Sequence, residues 1–136
     1  MFDWVVKNVG FLKHVPLLPH IFDSGLKVAT LLHNKNIPDY IDEIESEVRT
    51  WPNTTVHAHK FGGIQFNNNN RELGHIHGNG LLDILLSREQ KAVLMKKYPV
   101  QDHHIFKNSG WISFWIKTPQ DRQTAIELLR FAYTSK

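Results

Sequence analysis

The sequence predicts an α+β domain with an antiparallel sheet of about four or five strands, two helices in its C-terminal half and an N-terminal helical segment. Two observations carry this prediction. Between residues 55 and 86, apolar and polar residues alternate with a period of two, and turns rich in asparagine and glycine separate the runs. After residue 86, patterns typical of a helix, a strand and a second helix follow in that order. Strands grouped in hairpins and followed by helices are typical of the α+β class.

The length and composition indicate a globular protein without disulfide bonds. The chain has 136 residues, of which 41% are hydrophobic and 21% are charged, as in ordinary globular domains. It contains no cysteine, which excludes disulfide bonds, thiolate zinc sites and a cysteine nucleophile and is typical of a reducing compartment. We therefore expect a cytoplasmic protein with two parts, an apolar helical segment at residues 1–35 and a single α+β domain at residues 36–136.

The apolar segment at residues 1–35 has three alternative interpretations. Lys7, Lys13, Pro16 and Pro19 interrupt it, so that no stretch reaches the roughly 18–20 apolar residues of a membrane-spanning helix. The prolines predict two short helices, the second of which starts near Pro19. These helices could pack on the domain, join two copies of the chain in a homodimer, or lie peripherally on the inner face of the membrane.

A charged amphipathic helix is expected next. Asn36, Pro38 and Asp39 are typical of a helix start, and Trp51 followed by Pro52 predicts its end. Apolar residues recur between these points at helical spacing, and the acidic residues lie off that stripe. The acidic run therefore has an ordinary explanation as a solvated face.

The strands of the predicted sheet lie at residues 55–59, 63–66, 71–77, 81–86 and 111–116. The asparagines at residues 67–70 and the Gly78-Asn79-Gly80 sequence predict tight turns. Ser87 with Gln90 forms a capping-box pattern, which predicts a helix up to about residue 98, and the segment that begins at Thr118 starts the last helix. Residues 99–108 are predicted to form a loop.

Strand alternation assigns the side chains of two strands to opposite faces of the sheet. In the strand at residues 71–77, Leu73, His75 and His77 are expected on one face and Glu72, Gly74 and Ile76 on the other. In the strand at residues 111–116, Ile112, Phe114 and Ile116 are expected to face the core, whereas Trp111, Ser113 and Trp115 share the second face.

The second face therefore combines imidazole, indole and hydroxyl groups. Apolar walls with a few polar groups are typical of a small-molecule pocket, so a small molecule is the expected partner. The alternative is that these tryptophan and histidine side chains simply pack beneath a covering helix, with their N–H groups bonded to the backbone.

His75 and His77 could bind a metal ion, because their rings project from one side of a strand. Two histidines with a carboxylate form a recognised open iron site, and Asp83, Glu72 or Asp102 could be the third ligand. His57 and His59 repeat the same spacing on another predicted strand. The sequence leaves the metal content open.

The same histidines could instead act as acid–base groups. A histidine with a pKa of about 6.5 can take a proton from an acidic substrate near neutral pH. Asp83 or Glu72 could orient it, and Lys60 or Arg71 could hold an anionic oxygen. The sequence contains neither a phosphate-binding loop nor a dinucleotide-binding glycine pattern, and it identifies no cofactor.

Five segments together resemble the luciferase-domain family, which contains the fungal luciferases and many small bacterial proteins. They are HKFGG at residues 59–63, RELGHIHGNGLLD at 71–83, DHH at 102–104, SGWISF at 109–114 and AIELLRFAY at 125–133. The resemblance covers about residues 55–134 and is greatest toward the short bacterial members. Glu72, His75 and His77 match an acidic-x-x-His-x-His segment of the fungal enzymes, and Trp111 and Phe114 match an aromatic strand.

The fungal luciferases, to which the resemblance is more distant, oxidise a hydroxylated pyrone with oxygen, without a classical redox cofactor, and associate with membranes through an N-terminal segment. The resemblance provides site candidates and leaves open whether the chain is an enzyme. The candidate catalytic residues are Glu72, His75, His77 and Asp83. The candidate substrate-binding residues are Lys60, His103, His104, Ser113, Trp111 and Trp115.

Two functions follow as hypotheses. The first is a small oxygenase-like enzyme that acts on an aromatic or lactone-type molecule through a histidine-bearing pocket. The second is a non-catalytic ligand-binding or interaction module that is attached peripherally to the membrane. The net charge of +3 comes from scattered lysines and arginines, so no nucleic-acid partner is expected.

Overall fold

The structure, a computed structural model, describes residues 23–26, 28, 34–60 and 62–135 of the chain. Most of the predicted N-terminal helical segment therefore lies outside the described residues, although residues 23–26 are helical. Within the described part of the chain, no helix is long and apolar enough to cross a membrane.

The described chain folds into one antiparallel sheet with helices, as the sequence predicts. The helices are α1 (Ile37–Arg49), α2 (Arg88–Lys97) and α3 (Pro119–Thr134), and the strands are β1 (Thr54–Ala58), β2 (Ile64–Asn68), β3 (Arg71–Ile76), β4 (Leu81–Leu85), β5 (Gln101–Asp102) and β6 (Trp111–Trp115). The order across the sheet is β1-β2-β3-β4-β6-β5, and all neighbouring strands are antiparallel. The α+β class is confirmed, and the sheet has one strand more than the largest number expected.

Local hydrogen bonds explain where two of the helices begin. The Ser87 hydroxyl accepts a hydrogen bond from the Gln90 N–H at 3.1 Å, and the Gln90 side-chain oxygen accepts one from the Ser87 N–H at 2.8 Å. Thr118 and Asp121 form the same reciprocal pair at the start of α3. Both capping boxes satisfy backbone N–H groups that the first helical turn leaves without partners. The predicted helix starts are thereby confirmed.

The core lies on one face of the sheet, where α1 packs against α3 and α3 packs against β3 and β4. Ile112, Phe114 and Ile116 are buried there, as the alternation of β6 predicts. Ile44 and Val48 of α1 are buried in the same cluster. The opposite face of the same strands is therefore available for other side chains.

A β-bulge at Leu73 makes one prediction of side-chain direction wrong. Phe66 pairs with Gly74, but the next residue of β2, Asn67, pairs with Glu72, so that Leu73 is an extra residue in β3. The bulge places Leu73 in the core with Ile76 and brings Glu72 to the face that carries His75. Strict alternation had assigned Leu73 to the histidine face and Glu72 to the opposite one.

The predicted loop at residues 99–108 contains the short strand β5. Gln101 lies opposite Ser113, and Asp102 lies opposite Ile112. A strand of two residues is too short to produce a recognisable alternation, which explains why the sequence did not reveal it. Its pairing with β6 fixes where the following residue, His103, leaves the edge of the sheet.

Candidate functional site

A row of polar side chains crosses the face of the sheet opposite the core. Antiparallel pairing places Gln65, His75, Asp83 and Ser113 opposite one another on β2, β3, β4 and β6. Directly opposed residues of neighbouring strands project on the same face, with Cβ atoms about 5 Å apart. The register of the sheet therefore brings His75, Asp83 and Ser113 together from three strands.

Asp83 is the centre of this row and is 0% exposed. One carboxylate oxygen, Oδ1, accepts a hydrogen bond from the Ser113 hydroxyl. The other, Oδ2, faces His77 Nε2 at 3.2 Å, His75 Nε2 at 3.5 Å and His103 Nε2 at 3.6 Å. Burial by itself would raise the pKa of Asp83, but the side chains of His103, His75, His77 and Ser113 together hold this pKa well below its usual range. Asp83 is therefore a buried carboxylate that stays charged.

Glu72 supports His75 from the other side. Its Oε1 lies 2.7 Å from His75 Nδ1, a distance typical of a charge-assisted hydrogen bond. Burial would lower the pKa of His75, but hydrogen bonds with Asp83 and Glu72 outweigh it and raise the pKa above the ordinary value. Burial would raise the pKa of Glu72, but the bond to His75 lowers it overall. His75 therefore keeps its proton to a higher pH than a free histidine does.

His77 lies just beyond the end of β3, at the start of the tight turn. Its N–H donates to the Leu81 carbonyl at 2.9 Å, which extends the ladder by one pair and keeps the ring on the same face as His75. The next N–H, of Gly78, donates to the Asp23 carboxylate at 2.8 Å. The side chain of His77 is 14% exposed, compared with 9% for His75 and 6% for His103. Of these three imidazoles, His77 is the most accessible.

The tautomer of His103 is fixed by its own loop. Its Nδ1 accepts hydrogen bonds from the backbone N–H groups of Ile105 at 3.1 Å and Phe106 at 3.2 Å. An accepting ring nitrogen carries no proton, so the proton of the neutral ring is on Nε2, the atom that faces Asp83. His103 therefore presents an N–H group to the carboxylate.

Lys91 of α2 anchors the loop that carries His103. Its Nζ lies 2.6 Å from Asp102 Oδ1 and donates to the carbonyl groups of Lys107 at 2.9 Å and Ser109 at 3.1 Å. An ammonium group has three N–H donors, and here all three have acceptors. The buried ammonium therefore holds both ends of the loop against α2.

His59 covers the ring of His75. The two rings are stacked, with centroids 3.9 Å apart and planes at 14°. Burial, followed by the positive charge of His75, lowers the pKa of His59 to about 4. His59 is therefore neutral at physiological pH and stacks on His75 without like-charge repulsion.

Trp111 forms an aromatic border to these groups. Its ring centroid lies 5.5 Å from that of His75 and 5.8 Å from that of His103, and the residue is half-buried. The six polar residues that are joined through Asp83 and His75 are called the Asp83 cluster: Glu72, His75, His77, Asp83, His103 and Ser113.

A surface cavity of about 320 Å³ lies between α1 and the edge strand β1. Its walls include Asp23, Glu45, Arg49 and His57, and no member of the Asp83 cluster lines it. This cavity is therefore not the small-molecule pocket that the sequence predicts over the histidine face. That pocket stays a prediction.

The comparisons with known proteins give a match for the family alone. The family model described as "Luciferase domain" matches residues 70–132. Residues 70–132 are therefore similar to the luciferase domain. The matched stretch runs from the turn before β3 into α3, and it contains every member of the Asp83 cluster. No curated protein and no solved structure matches the chain.

The luciferase domain brings most of the predicted site residues together. The four candidate catalytic residues form a chain of contacts, in which Glu72 contacts His75 and Asp83 contacts both His75 and His77. Ser113, His103 and Trp111, which were candidates for substrate binding, are also part of this arrangement or border it. His104 stacks on His103, with ring centroids 4.4 Å apart.

Four other predicted residues are not members of the Asp83 cluster. Lys60 is exposed in the turn after β1, and Trp115 is exposed near the end of β6, where the ammonium of Lys117 lies over its ring. Arg71, which could have held an anion, donates to the Ala132 carbonyl at 3.0 Å. Asp102, an alternative metal ligand, is paired with Lys91.

Two residues that contact the Asp83 cluster or anchor the loop of His103 were not predicted, His59 and Lys91. The spacing of His57 and His59 was noticed, but both were placed on a strand, whereas β1 ends at Ala58 and only His59 turns inward. Lys91 lies on a helix with other lysines, and nothing in its sequence neighbourhood distinguishes it from solvated ones. The change from strand to turn after Ala58 was the one signal that could have separated His59 from His57.

The arrangement is suited to two kinds of chemistry. Paired imidazole and carboxylate groups can exchange a proton with a bound substrate. Among the described residues, three groups of side chains also have ligand atoms within 4.8 Å of one another, as a metal ion requires: His59–Glu72–His75, His75–His77–Asp83 and Asp83–His103–His104. Both kinds of chemistry would take place on the same face of the luciferase domain.

Proposed function

We propose that this luciferase-domain protein is a small oxygenase-like enzyme that acts on an aromatic or lactone-type molecule, with the Asp83 cluster as its reaction centre. The observation that carries the proposal is the complete burial of the Asp83 carboxylate beneath three imidazoles and a hydroxyl group. Moving a carboxylate out of water costs several kcal/mol, a cost that an apolar side chain would not have. Buried charged groups with strongly shifted pKa values are concentrated at functional sites.

The cluster is suited to proton removal from an acidic hydroxyl group. An imidazole that is paired with a carboxylate can accept this proton, and the carboxylate stabilises the positive charge that forms. The deprotonated ring of such a substrate is electron-rich. Its carbon can form a bond to dioxygen, and the proton then returns to the terminal oxygen, so that substrate and dioxygen give a hydroperoxide without an external reductant.

The substrate would approach the cluster along His77 and Trp111. His77 is the most exposed of the imidazoles near Asp83, and Trp111 is half-buried beside His75 and His103. An indole ring packs well against a flat aromatic or lactone ring by offset stacking. The exposed residues Lys60 and Trp115 would contact more distant parts of the molecule.

Oxygen uptake in the presence of hydroxypyrones tests the proposal. His75→Gln and His77→Gln are compared with His57→Gln, because His57 is an exposed histidine on β1, outside the cluster. General acid–base groups contribute about 100-fold to 10,000-fold to a rate, so we expect the two cluster variants to lose at least about 100-fold while His57→Gln keeps the wild-type rate. Equal uptake by all four proteins would exclude the Asp83 cluster as the reaction centre.

A further inference from the structure

We propose that His75, His77 and Asp83 bind one divalent transition-metal ion, through Nε2 of each histidine and Oδ2 of the aspartate. This inference rests on the proposed function, because it names the group that would act at the same reaction centre. Its test measures metal binding, so that it can fail separately from the proposed activity.

Two distances to the Asp83 carboxylate agree with those around a single ion, and one ligand atom from each of the three residues lies within 4.8 Å of the others. Asp83 Oδ2 lies 3.2 Å from His77 Nε2 and 3.5 Å from His75 Nε2. With bonds of about 2.0–2.1 Å to nitrogen and oxygen, neighbouring ligand atoms are about 3.0 Å apart in an octahedral site and about 3.4 Å apart in a tetrahedral one. The three residues can therefore close on one ion with small side-chain movements.

Each of two ligands already has the outer hydrogen bond that metal ligands ordinarily make. The other ring nitrogen of His75, Nδ1, is bonded to Glu72 at 2.7 Å, and the other oxygen of Asp83, Oδ1, accepts from Ser113. A carboxylate behind a histidine fixes the ring so that Nε2 points at the metal ion. Glu72 would therefore orient a ligand without being one.

The hydrogen bonds also argue against the other two groups with metal-ligand spacing. In His59–Glu72–His75, Glu72 Oε1 and His75 Nδ1 lie 2.7 Å apart, which is closer than the neighbouring ligand atoms of one ion. In Asp83–His103–His104, Nδ1 of His103 accepts two backbone N–H groups, so its Nε2 carries the proton. For His103 Nε2 to bind a metal ion, its proton would have to move to Nδ1, which would break both backbone hydrogen bonds.

The donor set determines the class of metal. Imidazole favours zinc, iron, copper and nickel over calcium and magnesium, and two histidines with one carboxylate leave coordination positions open, as in non-haem iron(II) oxygenases. The open positions would lie on the side of His77 and Trp111. An ion held there would bind the deprotonated oxygen of the substrate and polarise it as a Lewis acid.

Titration of the metal-stripped, full-length protein with Co²⁺, Zn²⁺ and Fe²⁺ tests this site. Visible absorption of Co²⁺ and calorimetry with Zn²⁺ should each give one ion per chain. We expect His77→Gln to weaken binding by at least about 100-fold and Glu72→Gln by about 10-fold to 100-fold, whereas His57→Gln should bind as the wild type does. Circular dichroism checks that each variant is folded.

Three results would overturn the metal site. The first is that His77→Gln binds the ion with the affinity of the wild type. The second is that His104→Gln loses binding while His77→Gln keeps it. The third is that the wild-type protein binds none of the ions with a dissociation constant below about 1 mM. The decision rests on His77→Gln, because this residue is partly exposed and its replacement leaves Asp83 bonded to Ser113. Metal binding without oxygen uptake would support the site and contradict the proposed function. Oxygen uptake by a protein that binds none of the added ions would support the function and contradict the metal site.

Discussion

The charge of a histidine in this protein depends on what its ring touches. His59 and His75 are stacked, yet their pKa values move in opposite directions. His75 has carboxylate partners on two sides, whereas His59 is buried against the positive charge of His75. The two rings therefore differ in protonation between the pKa of His59, about 4, and the raised pKa of His75.

We predict that the metal-free protein becomes less stable as the pH falls from 6.5 towards 4. In the unfolded chain His59 binds a proton at about pH 6.5, whereas in the folded chain its pKa is about 4. The unfolded state therefore binds more protons in this range. The free energy of unfolding decreases as the pH decreases, by roughly 2–3 kcal/mol in total. Urea unfolding at several pH values, with a chelator present, measures this dependence.

His59→Gln should remove most of this dependence, and His57→Gln, with its exposed ring, should keep it. His75 has the opposite sign: its raised pKa adds stability that is fully present below about pH 6.5 and is lost as the pH rises through its folded pKa. The depressed pKa values of Glu72 and Asp83 add a separate loss of stability that begins below about pH 4.5, the ordinary value for Glu72. An unchanged acid limb in His59→Gln would show that another group causes the loss.

At the scale of helices and strands, the features that the sequence predicts are those decided by a few neighbouring residues. Ser87 and Thr118 each make their capping bonds within four positions of the chain, and the turn at Asn79 likewise depends on adjacent residues. The bulge at Leu73 depends instead on pairing with β2, and strand β5 exists only because β6 lies beside it. Contacts between distant segments leave little trace in local periodicity, which is why these two features were missed.

The bulge predicts a strict requirement for glycine at residue 74. A Cβ atom there would meet the backbone carbonyl oxygen of Asp83 on the neighbouring strand, which cannot move aside as a flexible side chain can. We expect Gly74→Ala to lower the free energy of unfolding by about 1–3 kcal/mol, as overpacking of a core does. Gly25→Ala is the matched control, since no atom of the described residues lies within 4 Å of its added Cβ. Equal stability of the two variants in urea would contradict the close approach.

Lys91 provides a second prediction at this scale, because its ammonium joins α2 to the loop that carries His103. Lys91→Met should lower the free energy of unfolding by about 2 kcal/mol, the typical contribution of hydrogen bonds to a charged group. Backbone amides of residues 103–110 should also exchange hydrogen faster. Lys96→Met is the control, since Lys96 is exposed on the same helix. Unchanged exchange in Lys91→Met would show that the loop is held by other contacts.

Across the whole molecule, the same strands build the core and the candidate site. Ile76, Ile84 and Ile112 face the core, while His75, Asp83 and Ser113, each adjacent in sequence, face the other side. Alternation was enough to predict that His75 and Ser113 share a face. The convergence of three imidazoles on Asp83 could not be predicted, because it requires the register of β3, β4 and β6 together with the path of the loop after β5.

This shared construction predicts that the described domain unfolds in one cooperative transition. Trp51 is buried between α1 and α3, and Trp111 borders the Asp83 cluster on the opposite face. Trp51→Phe and Trp111→Phe are each unfolded in urea and followed by both tryptophan fluorescence and circular dichroism. Within each variant, the two signals should give the same midpoint. A site signal that disappears before the helical signal would show that the two faces unfold independently.

The extra residue at Leu73 also changes how such a site would be recognised in other sequences. A carboxylate and a histidine three positions apart are ordinarily taken as neighbours on a helix. In an extended strand, this spacing makes them neighbours only when one residue between them is displaced from the ladder. A glutamate three residues before a His-x-His pair in a strand therefore indicates a β-bulge. A homologue with one residue fewer between the glutamate and the first histidine would keep both histidines and lose the carboxylate that contacts the first of them.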